Sequence, residues 1–464
     1  MEGTSVKRRR LARPVHVAAT MLPAILFLSG AQASDTDNWP TWRGPGGTGV
    51  AKSAAPTGWS DEENVRWRAA IPGRGFSTPV VWGDRIYLTT AVPLEEAAEP
   101  EDDGAARGRG SSFGRGGPRG SATVNTAFLV LCLDLETGKE IWRKKACEVK
   151  PHEGYHRTYG SHASISPVTD GTALICSFGS QGIYCYDMDG ELLWERDPGV
   201  MLQMRRQFGE GANPALHNGV YVHVFDHESD SFVLALDAKT GEVKWRHERD
   251  EPSTWSTPLV TQHDGAWQVI VAGTNRTRSY ELYGGKELWQ CGGIGLNAIP
   301  TVVRHEDLVL VMSGYREPNL QAIRLGGKGD ITDADVSPIA WSSTRGASYT
   351  ASPVLHEGRY YCVQDGGKIS CFDATSGKAF YLEERLPRGT DLKASPLAAG
   401  NVLYVATEEG DVHMVALGEE FKLLGTNTLS DQFFVSSPIA VQGHLLLRGQ
   451  SDLFCISEGG SDGD

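Results

Sequence analysis

The segment Asp134-Leu135-Glu136-Thr137-Gly138-Lys139-Glu140-Ile141-Trp142 decides the fold, because its pattern returns at Asp237-Ala238-Lys239-Thr240-Gly241-Glu242-Val243-Lys244-Trp245. We expect the Asp to accept hydrogen bonds from the turn backbone and the Gly to adopt a positive φ. The closing Trp should pack against the next unit. Residues 187–194 shorten this turn, and residues 373–381 keep it but end in Phe380-Tyr381. The predicted turn and packing residues are Asp134, Gly138, Trp142, Trp194, Asp237, Gly241, Trp245 and Trp289.

A second marker repeats along the chain: a small residue followed closely by Pro and then by apolar residues. It occurs at Pro79, Pro167, Pro214, Pro258, Pro300, Pro353, Pro396 and Pro438. These prolines are 88, 47, 44, 42, 53, 43 and 42 residues apart, and the interval of 88 holds one repeat with a long insert. Alternating apolar runs and turns predict four short strands in each repeat. This period is typical of the blades of a β-propeller.

The two ends of the repeat array predict how the ring closes. The eighth unit starts at Pro438 and has only three strands, whereas Asn64-Val65-Arg66-Trp67-Arg68 has the pattern of a fourth strand and stands before the first unit. We therefore expect an all-β, eight-bladed propeller at 61–458, closed by an N-terminal strand that completes the last blade. Closure removes the free sheet edges that favour aggregation.

The segments outside the repeats predict export. Residues 1–33 combine a basic start, an apolar run at 15–28 and Ala31-Gln32-Ala33, the features of a cleaved signal peptide. No later run is long enough to span a bilayer. An N-terminal arm follows at 34–60, and a disordered tail is expected at 459–464. The insert at 93–122, acidic and then rich in Arg and Gly, is too polar to order itself and is expected to be flexible.

The charge balance argues against a nucleic-acid partner. The net charge is -14, and cleavage would remove five of the 44 basic residues and one of the 58 acidic residues, leaving -18. Such a field repels a polyanion. We expect a monomer with no transmembrane segment.

Eight cysteines in an exported chain can pair, but no Cys-x-x-Cys metal or haem motif occurs. Cys176 and Cys185 flank a turn, as do Cys362 and Cys371. If each turn has two residues, the two cysteines face each other at a non-hydrogen-bonded position. Each pair is therefore a possible disulfide, with two free buried thiols side by side as the alternative.

The repeats resemble those of the pyrroloquinoline quinone (PQQ) repeat superfamily, and more closely those of exported bacterial PQQ-binding-like β-propeller proteins of mostly unassigned function. The residues that carry the resemblance are the turn repeats, Trp39-Pro40-Thr41-Trp42-Arg43-Gly44-Pro45, 231–237, Trp255-Ser256-Thr257-Pro258 and 445–448. It covers about residues 39–456. Because these are turn and packing residues, the resemblance implies the fold and says little about activity.

In a propeller, the loops between blades and the loops joining strands two and three lie on one face, which commonly binds ligands. Mapping the repeats brings charged residues together there. The ligand-binding candidates on this rim are His156, Arg157, Arg205, Arg206, Asp226, His227, Arg249, Arg276, Arg316 and Glu408. Solvated loop charges are the simpler interpretation of any one of them.

Two groups of histidines are candidates for a metal site or for acid–base chemistry. The run from His223 to Asp230 has suitable side chains, but its spacing matches no known motif. The group His152, His156 and His162 is spread over a loop and is interpreted as solvated. No metal site is predicted.

Two functions remain. The first is a non-catalytic binding or scaffold protein of the cell envelope, whose ligand is a protein or glycan. The alternative is a PQQ-dependent dehydrogenase with calcium, in which the quinone carries the redox chemistry. The chain lacks the adjacent Cys-Cys pair of many such enzymes, and no Glu, Asn and Asp set matches their metal site. We therefore expect no cofactor and no catalytic residues.

Overall fold

The computed structural model describes residues 1–3, 37–95 and 123–459. The predicted signal peptide, most of the 93–122 insert and the tail beyond 459 lie outside these residues. From Asp37 onward the chain is one compact unit, built of eight antiparallel sheets in a ring. This confirms the all-β, eight-bladed fold.

The first four blades follow chain order. Blade 1 contains β2 (Val80–Trp82), β3 (Arg85–Pro93), β4 (Thr126–Asp134) and β5 (Glu140–Val149); blade 2 contains β6 (Val168–Thr169), β7 (Leu174–Ser177), β8 (Ile183–Tyr186) and β9 (Leu192–Arg196). Blade 3 contains β10 (Ala215–His217), β11 (Val220–Phe225), β12 (Ser231–Asp237) and β13 (Val243–Arg249); blade 4 contains β14 (Leu259–His263), β15 (Ala266–Val271), β16 (Arg276–Glu281) and β17 (Glu287–Gly292).

The remaining blades repeat this order, except that β21 adds a fifth strand to blade 4 and β1 supplies the fourth strand of blade 8. Blade 5 contains β18 (Val303–His305), β19 (Leu308–Ser313), β20 (Asn319–Arg324) and β22 (Ile339–Ser343), while β21 (Gly329–Asp330) pairs in parallel with β17 of blade 4. Blade 6 contains β23 (Val354–His356), β24 (Arg359–Gln364), β25 (Lys368–Asp373) and β26 (Ala379–Arg385); blade 7 contains β27 (Leu397–Ala399), β28 (Val402–Ala406), β29 (Asp411–Ala416) and β30 (Leu423–Thr428). Blade 8 contains β31 (Ile439–Val441), β32 (His444–Arg448), β33 (Asp452–Ile456) and β1 (Val65–Ala70). Short 3-10 helices lie at Pro45–Gly47, Gly179–Gln181 and Arg205–Gln207.

The N-terminal strand closes the ring, as the repeat count predicted. β1 pairs antiparallel with β33, so that Trp67 lies opposite Cys455 and Ala69 opposite Leu453. Arg68 also forms a bidentate ion pair with Asp452, in which Nε and Nη2 lie 2.9 Å from the two carboxylate oxygens. Residues from the two ends of the propeller thus share one sheet.

The turn pattern links each blade to the next through its tryptophan. Trp194 of blade 2 donates from Nε1 to the carbonyl of Ala238 in blade 3 at 3.0 Å, and its ring covers Gly241. Gly241 has a φ of +71°, and a Cβ there would lie 2.6 Å from the indole. The position therefore needs glycine both for its backbone conformation and for space. Equivalent pairs are Trp67 with Gly138, Trp142 with Gly190, Trp245 with Gly285 and Trp341 with Gly377.

Trp289 departs from this arrangement. Its Nε1 donates to Gln268 Oε1 within its own blade at 3.3 Å, and its strand β17 is covered by β21 from the long connection of blade 5.

The two turn aspartates accept hydrogen bonds from the turn backbone, as predicted. Oδ1 of Asp134 accepts from the Thr137 N–H at 2.8 Å, and Oδ1 of Asp237 accepts from the Thr240 N–H at 3.1 Å.

The small residues before the repeated prolines join the inner ends of neighbouring blades. The Ser352 N–H donates to Ser395 Oγ at 2.8 Å, and the Ser395 N–H donates to Ser437 Oγ at 3.2 Å. The Ser437 N–H then reaches Thr78 Oγ1 at 3.1 Å, which carries the chain of bonds across the point of closure. These hydroxyls satisfy buried backbone donors at the junctions from blade 6 round to blade 1, which gives the small polar residue of the motif a structural role there.

The strand register corrects the predicted cysteine geometry. Cys176 lies opposite Tyr184 and Cys185 opposite Ile175, because the connection between their strands has five residues. Cys362 likewise lies opposite Ser370 and Cys371 opposite Tyr361, across a three-residue connection. Within each pair the side chains therefore point to opposite faces of the blade. All eight thiols are free, and the structure supports neither the cross-strand disulfides nor thiols side by side.

The N-terminal arm runs along the inner strands of several blades. Trp39 bridges to Val81 of blade 1, and Val50 bridges in parallel to Ala398 of blade 7. Between them, Trp42 Nε1 donates to Ser437 Oγ of blade 8 at 3.2 Å. Because the inner strands of a propeller line its axis, this contact pattern places residues 39–50 in the central channel.

Candidate functional site

One face of the ring carries the connections between blades and those joining the second and third strands, and we call it the loop face. Its two longest described connections, 150–167 and 197–214, flank blade 2. They meet where the His156 N–H donates to the Phe208 carbonyl at 3.2 Å and where the Met204 N–H donates to Glu153 Oε2 at 3.0 Å. The two connections form one layer over this side of the loop face.

Lys393 lies at the centre of a charged cluster that spans the ring. Its Nζ is 3.3 Å from Asp365 Oδ2 and 2.9 Å from Glu408 Oε1, and it lies 4.6 Å from the ring centroid of Tyr159. Tyr159 comes from the connection between blades 1 and 2, whereas the charged residues come from blades 6 and 7. The contact therefore reaches across the mouth of the channel, and we call these four residues the mouth cluster. Although burial lowers the pKa of Lys393, the carboxylates raise it above its usual value.

Arg74 and His156 hold the tip of the 150–167 connection in place. Arg74 donates to the carbonyls of Gly160, Arg157 and Thr158 at 3.0, 2.8 and 2.7 Å. The His156 ring stacks on Tyr159 with centroids 4.4 Å apart, and its Nδ1 accepts from the Thr158 and Tyr159 N–H groups. Burial lowers the pKa of His156, which favours the neutral ring. His156 therefore supports Tyr159, and Arg157 is left exposed beside it.

Two stacked tyrosines extend the loop face beyond the mouth cluster. The rings of Tyr315 and Tyr349 have centroids 5.1 Å apart at an angle of 28°. The Arg316 guanidinium lies 5.2 Å from the Tyr315 centroid, and Asn297 Nδ2 donates to Tyr349 Oη at 3.1 Å. This group of aromatic and cationic side chains could bind a peptide or a sugar ring.

Two of the predicted ligand-binding residues, Asp226 and Arg249, are instead paired in the interior. Their side chains are 0% exposed. Arg249 donates from Nε and Nη2 to the Asp226 carboxylate at 2.8 and 3.1 Å, and from Nη1 to Tyr280 Oη at 2.9 Å. Thr254 Oγ1 adds a bond to Asp226 Oδ2 at 2.7 Å. The pair lies within blade 3, and the bond from Arg249 to Tyr280 connects it to blade 4. All of these contacts are internal.

His227 and Arg276 also lie away from the mouth cluster. His227 is buried, and its Nδ1 accepts from the Gln203 N–H at 3.2 Å. Arg276 donates from Nη1 to Thr332 Oγ1 at 2.8 Å and lies 3.6 Å from Asp330, on the outer side of blade 4. These two residues do not join the mouth cluster. By contrast, Arg206 and Arg316 are exposed, and the backbone N–H of half-buried Arg205 is bonded to Ser253 Oγ at 2.9 Å.

In each of the two histidine groups, one member packs against neighbouring residues instead of facing a metal site. His223 is buried, with Nε2 2.7 Å from the Ala212 carbonyl, and burial lowers its pKa to about 4. His162 packs edge-on against Tyr155, and burial lowers its pKa to about 4 as well. Among the described residues, no three His, Cys, Asp or Glu side chains are arranged to hold a metal ion.

Glu210 is a titratable group that the sequence did not single out. Its Oε2 accepts from the Ser180 N–H at 2.7 Å, and it lines two small adjoining cavities, one beside His152 and His162 and the other beside His223. Burial raises the pKa of Glu210 to about 7. The group therefore changes charge near neutral pH.

Of the residues predicted from the sequence, Glu408 belongs to the mouth cluster, His156 stacks on its Tyr159, and Arg316 lies beside Tyr315. Tyr159, Lys393 and Asp365 are not among the predicted residues. The signal for these three was weak, because each lies in a connection without periodic pattern. Only the fold shows that connections from opposite sides of the ring meet.

Eight blades, turn tryptophans that contact the next blade and closure by the first strand define an eight-bladed β-propeller, and this architecture fits a PQQ-like repeat protein. A family model described as outer membrane protein assembly factor BamB matches residues 127–316. No curated protein matches the chain.

Two solved structures share the fold. Quinohemoprotein alcohol dehydrogenase from Comamonas testosteroni is 12% identical, with a TM-score of 0.62 over 94% of this chain and 82% of that chain. BamB from Moraxella catarrhalis is 13% identical, with a TM-score of 0.53 over 71% of this chain and 93% of that chain. The first is an enzyme and the second an assembly factor, so the shared fold leaves the activity open.

The mouth cluster does not match a site for PQQ and calcium. Its two carboxylates, Asp365 and Glu408, are both paired with the Lys393 ammonium, and Tyr159 lies over that cation. A calcium ion prefers six or more oxygen ligands. We therefore derive no reaction step through a quinone.

Proposed function

We propose that this protein is an exported, non-catalytic propeller that binds a partner protein of the cell envelope on its loop face. Three lines of reasoning support the proposal: the structure of the mouth, the distribution of exposed charge around it, and the kinship of the repeats with an assembly factor.

The contact between Tyr159 and Lys393 carries the argument. It joins connections from opposite sides of the ring, while Arg74 fixes the same loop through three carbonyls. A small substrate would have to displace Tyr159 and break the Lys393 ion pairs in order to enter the channel from this face. These side chains are only 11–23% exposed, and removing one partner from a largely desolvated ion pair is costly. A broad partner that lies on the loops meets no such cost.

The surface around this mouth suits a macromolecule. Arg157, Arg206 and Arg316 are exposed on three separate connections of the loop face, and Tyr315 and Tyr349 lie beside Arg316. Arginine and tyrosine are enriched in protein interfaces, where they supply contact area and hydrogen bonds together. On a chain of net charge -14, exposed arginines also offer a local field for an acidic partner.

The envelope location rests on the predicted signal peptide and on the matched family description, which names an outer membrane assembly factor. Within the described residues, no helix is long and apolar enough to cross a bilayer. We infer that the protein works in the envelope with a protein partner rather than a redox cofactor.

The test compares two charge reversals on opposite faces. The loop-face variant is Arg157→Glu, Arg206→Glu and Arg316→Glu, and the control is Lys139→Glu, Lys239→Glu and Lys378→Glu on the exposed turns of the other face. Each changes the net charge by the same amount. We expect capture of a defined envelope protein, measured by cross-linking and quantitative mass spectrometry, to fall at least tenfold for the first variant only.

Three results would contradict the proposal. Equal capture of the envelope protein by the wild-type protein and both variants would exclude the loop face as the binding surface. Capture that survives protease treatment of the envelope fraction but not glycosidase treatment would identify a glycan ligand. A stoichiometric spectral shift on addition of PQQ and Ca²⁺, with dye-linked alcohol oxidation, would establish the dehydrogenase alternative.

A further inference from the structure

The 150–167 and 197–214 connections cover a small cavity between Phe128 of blade 1 and Phe178 of blade 2. The volume of the cavity is about 20 Å³, which is enough for one group of the size of a water molecule. His152 lines the cavity and is exposed, so the cavity reaches the surface of the loop face at this residue. A group can therefore enter it from solvent or from a partner that lies on that face.

Two carboxylates line this cavity, and each is held by only one of its oxygens. Oε2 of Glu210 accepts from the Ser180 N–H at 2.7 Å, and Oε2 of Glu153 accepts from the Met204 N–H at 3.0 Å. Neither Oε1 has a hydrogen-bond partner among the described residues, and neither belongs to the buried atoms that are sealed from solvent. Both Oε1 atoms are therefore available to a ligand.

The Glu210 carboxylate is fixed before any ligand arrives. Gly179 has a φ of +58°, and a Cβ at that position would lie 1.6 Å from Glu210 Oε2, so the backbone wraps closely around the carboxylate. The carbonyl of Gly209, the residue before Glu210, accepts from Trp255 Nε1 at 2.8 Å. A ligand that binds here loses little affinity to ordering of the site.

The charges around the cavity favour a cation. No lysine or arginine is among the described residues that line it. Burial lowers the pKa of His162 to about 4, so its ring is neutral at pH 7 and can accept a hydrogen bond. Burial also raises the pKa of Glu210 to about 7, because the ionised carboxylate is enclosed without a strong counter-charge. The missing component is a small positive group.

The size of the cavity and the kind of acceptors define that group. A primary ammonium has about the size of water and three N–H donors, whereas a planar guanidinium is too large for this volume. Among the described residues, no three His, Cys, Asp or Glu side chains are arranged to hold a metal ion. Because only the tip of an amine fits inside, the rest of the ligand lies outside, on the loop face.

We propose that this cavity binds one primary ammonium group, the tip of a lysine side chain that the envelope partner inserts from the loop face. The ammonium donates to Oε1 of Glu210, to Oε1 of Glu153 and to the neutral ring of His162, and Phe128 and Phe178 contact its methylene stem. The lysine as the source rests on the proposed function, whereas the cavity itself can be tested without a partner.

The cavity is tested with n-butylammonium, which has the structure of a lysine side chain, by calorimetric titration of the mature protein at pH 8. We expect one site, with an affinity at least tenfold higher than that for uncharged n-butanol. Glu210→Gln should weaken the binding of n-butylammonium at least tenfold, and Glu195→Gln, which alters an exposed carboxylate, should not. No saturable binding, equal binding of n-butanol, or unchanged binding by Glu210→Gln would each overturn the proposal.

The pH dependence of the wild-type protein covers the case in which Glu210→Gln does not fold. The groups that face the cavity are Glu210, Glu153, His152 and His162. Because Glu210 must lose its proton before it pairs with the ammonium, the affinity should fall about tenfold per pH unit below pH 7, and protonation of His152 acts in the same direction. An affinity that stays constant from pH 8 to pH 5 would contradict the site.

Capture of the envelope protein tests the lysine. n-Butylammonium should release the captured protein and n-butanol should not, and Glu210→Gln should lower capture at least tenfold relative to Glu195→Gln. Calorimetric binding without any effect on capture would exclude a lysine of the partner. If no envelope protein is captured at all, the proposed function fails, and the titration with n-butylammonium still decides whether the cavity is an ammonium site.

Discussion

Replacing Arg249 by methionine should reveal how far the propeller depends on the interior ion pair of blade 3 and on its bond to Tyr280 of blade 4. The substitution keeps most of the apolar volume but removes both bonds to the Asp226 carboxylate and the bond to Tyr280. Because both side chains are 0% exposed, water cannot replace the lost partner. Breaking a buried pair on one side costs about 3–5 kcal/mol.

The assay is urea unfolding followed by tryptophan fluorescence, with the midpoint and the slope m fitted separately. We expect Arg249→Met to lower the free energy of unfolding by about 3–5 kcal/mol and to leave m unchanged. The double variant Arg249→Met with Asp226→Leu should regain much of that loss, because it removes the stranded carboxylate as well. Replacing a buried pair by apolar residues is often neutral or stabilising by roughly 1–4 kcal/mol.

The same variants separate a structural role from a ligand-binding role. If the pair is structural, the double variant should capture the envelope partner as well as the wild-type protein does, per folded molecule. A single-variant loss below about 1 kcal/mol, the range of exposed ion pairs, would refute the reasoning. Loss of capture by a stable double variant would restore Asp226 and Arg249 as ligand-binding residues.

Two further predictions concern the turns and the titratable pocket. Gly241→Ala should lower the free energy of unfolding more than Gly219→Ala. Both glycines have a positive φ, where a side chain adds about 1–2 kcal/mol of strain, but only the Cβ at Gly241 would collide with Trp194. Equal losses in urea unfolding would argue against the packing role. Glu210→Gln should alter the pH dependence of stability. Since burial raises the pKa of Glu210 to about 7 from 4.5, the folded state retains a proton that the unfolded state releases, and stability falls as pH rises from about 4.5 to 7. Glu210 contributes at most about 1.4 kcal/mol per pH unit to the slope of stability against pH. This contribution should vanish in Glu210→Gln and persist in Glu195→Gln, which alters an exposed carboxylate. An unchanged slope in Glu210→Gln would exclude Glu210 as its origin.

The loop connections explain why the site was only partly predictable. His156 and Glu408 could be placed on the loop face by counting strands, because their positions follow the repeat. Tyr159 and Lys393 lie more than 200 residues apart in connections without periodicity, and nothing local predicts their contact. Asp226 and Arg249 looked like surface charges for the same reason, since burial depends on which neighbouring blade covers them.

The sequence by itself determined the number of blades, the closing strand and the turn chemistry. These depend on short-range rules: aspartate and glycine in a turn, alternation along a strand, and a fixed repeat length. Only the tertiary structure decided which charges pair and which stay exposed, where the arm lies, and which cysteines face each other. Odd-length connections of five and three residues shift the register by one position and separate Cys176 from Cys185 and Cys362 from Cys371. A one-residue shift reverses the face of every side chain, and burial of a charge is set by partners from other blades, so neither can be derived from local pattern.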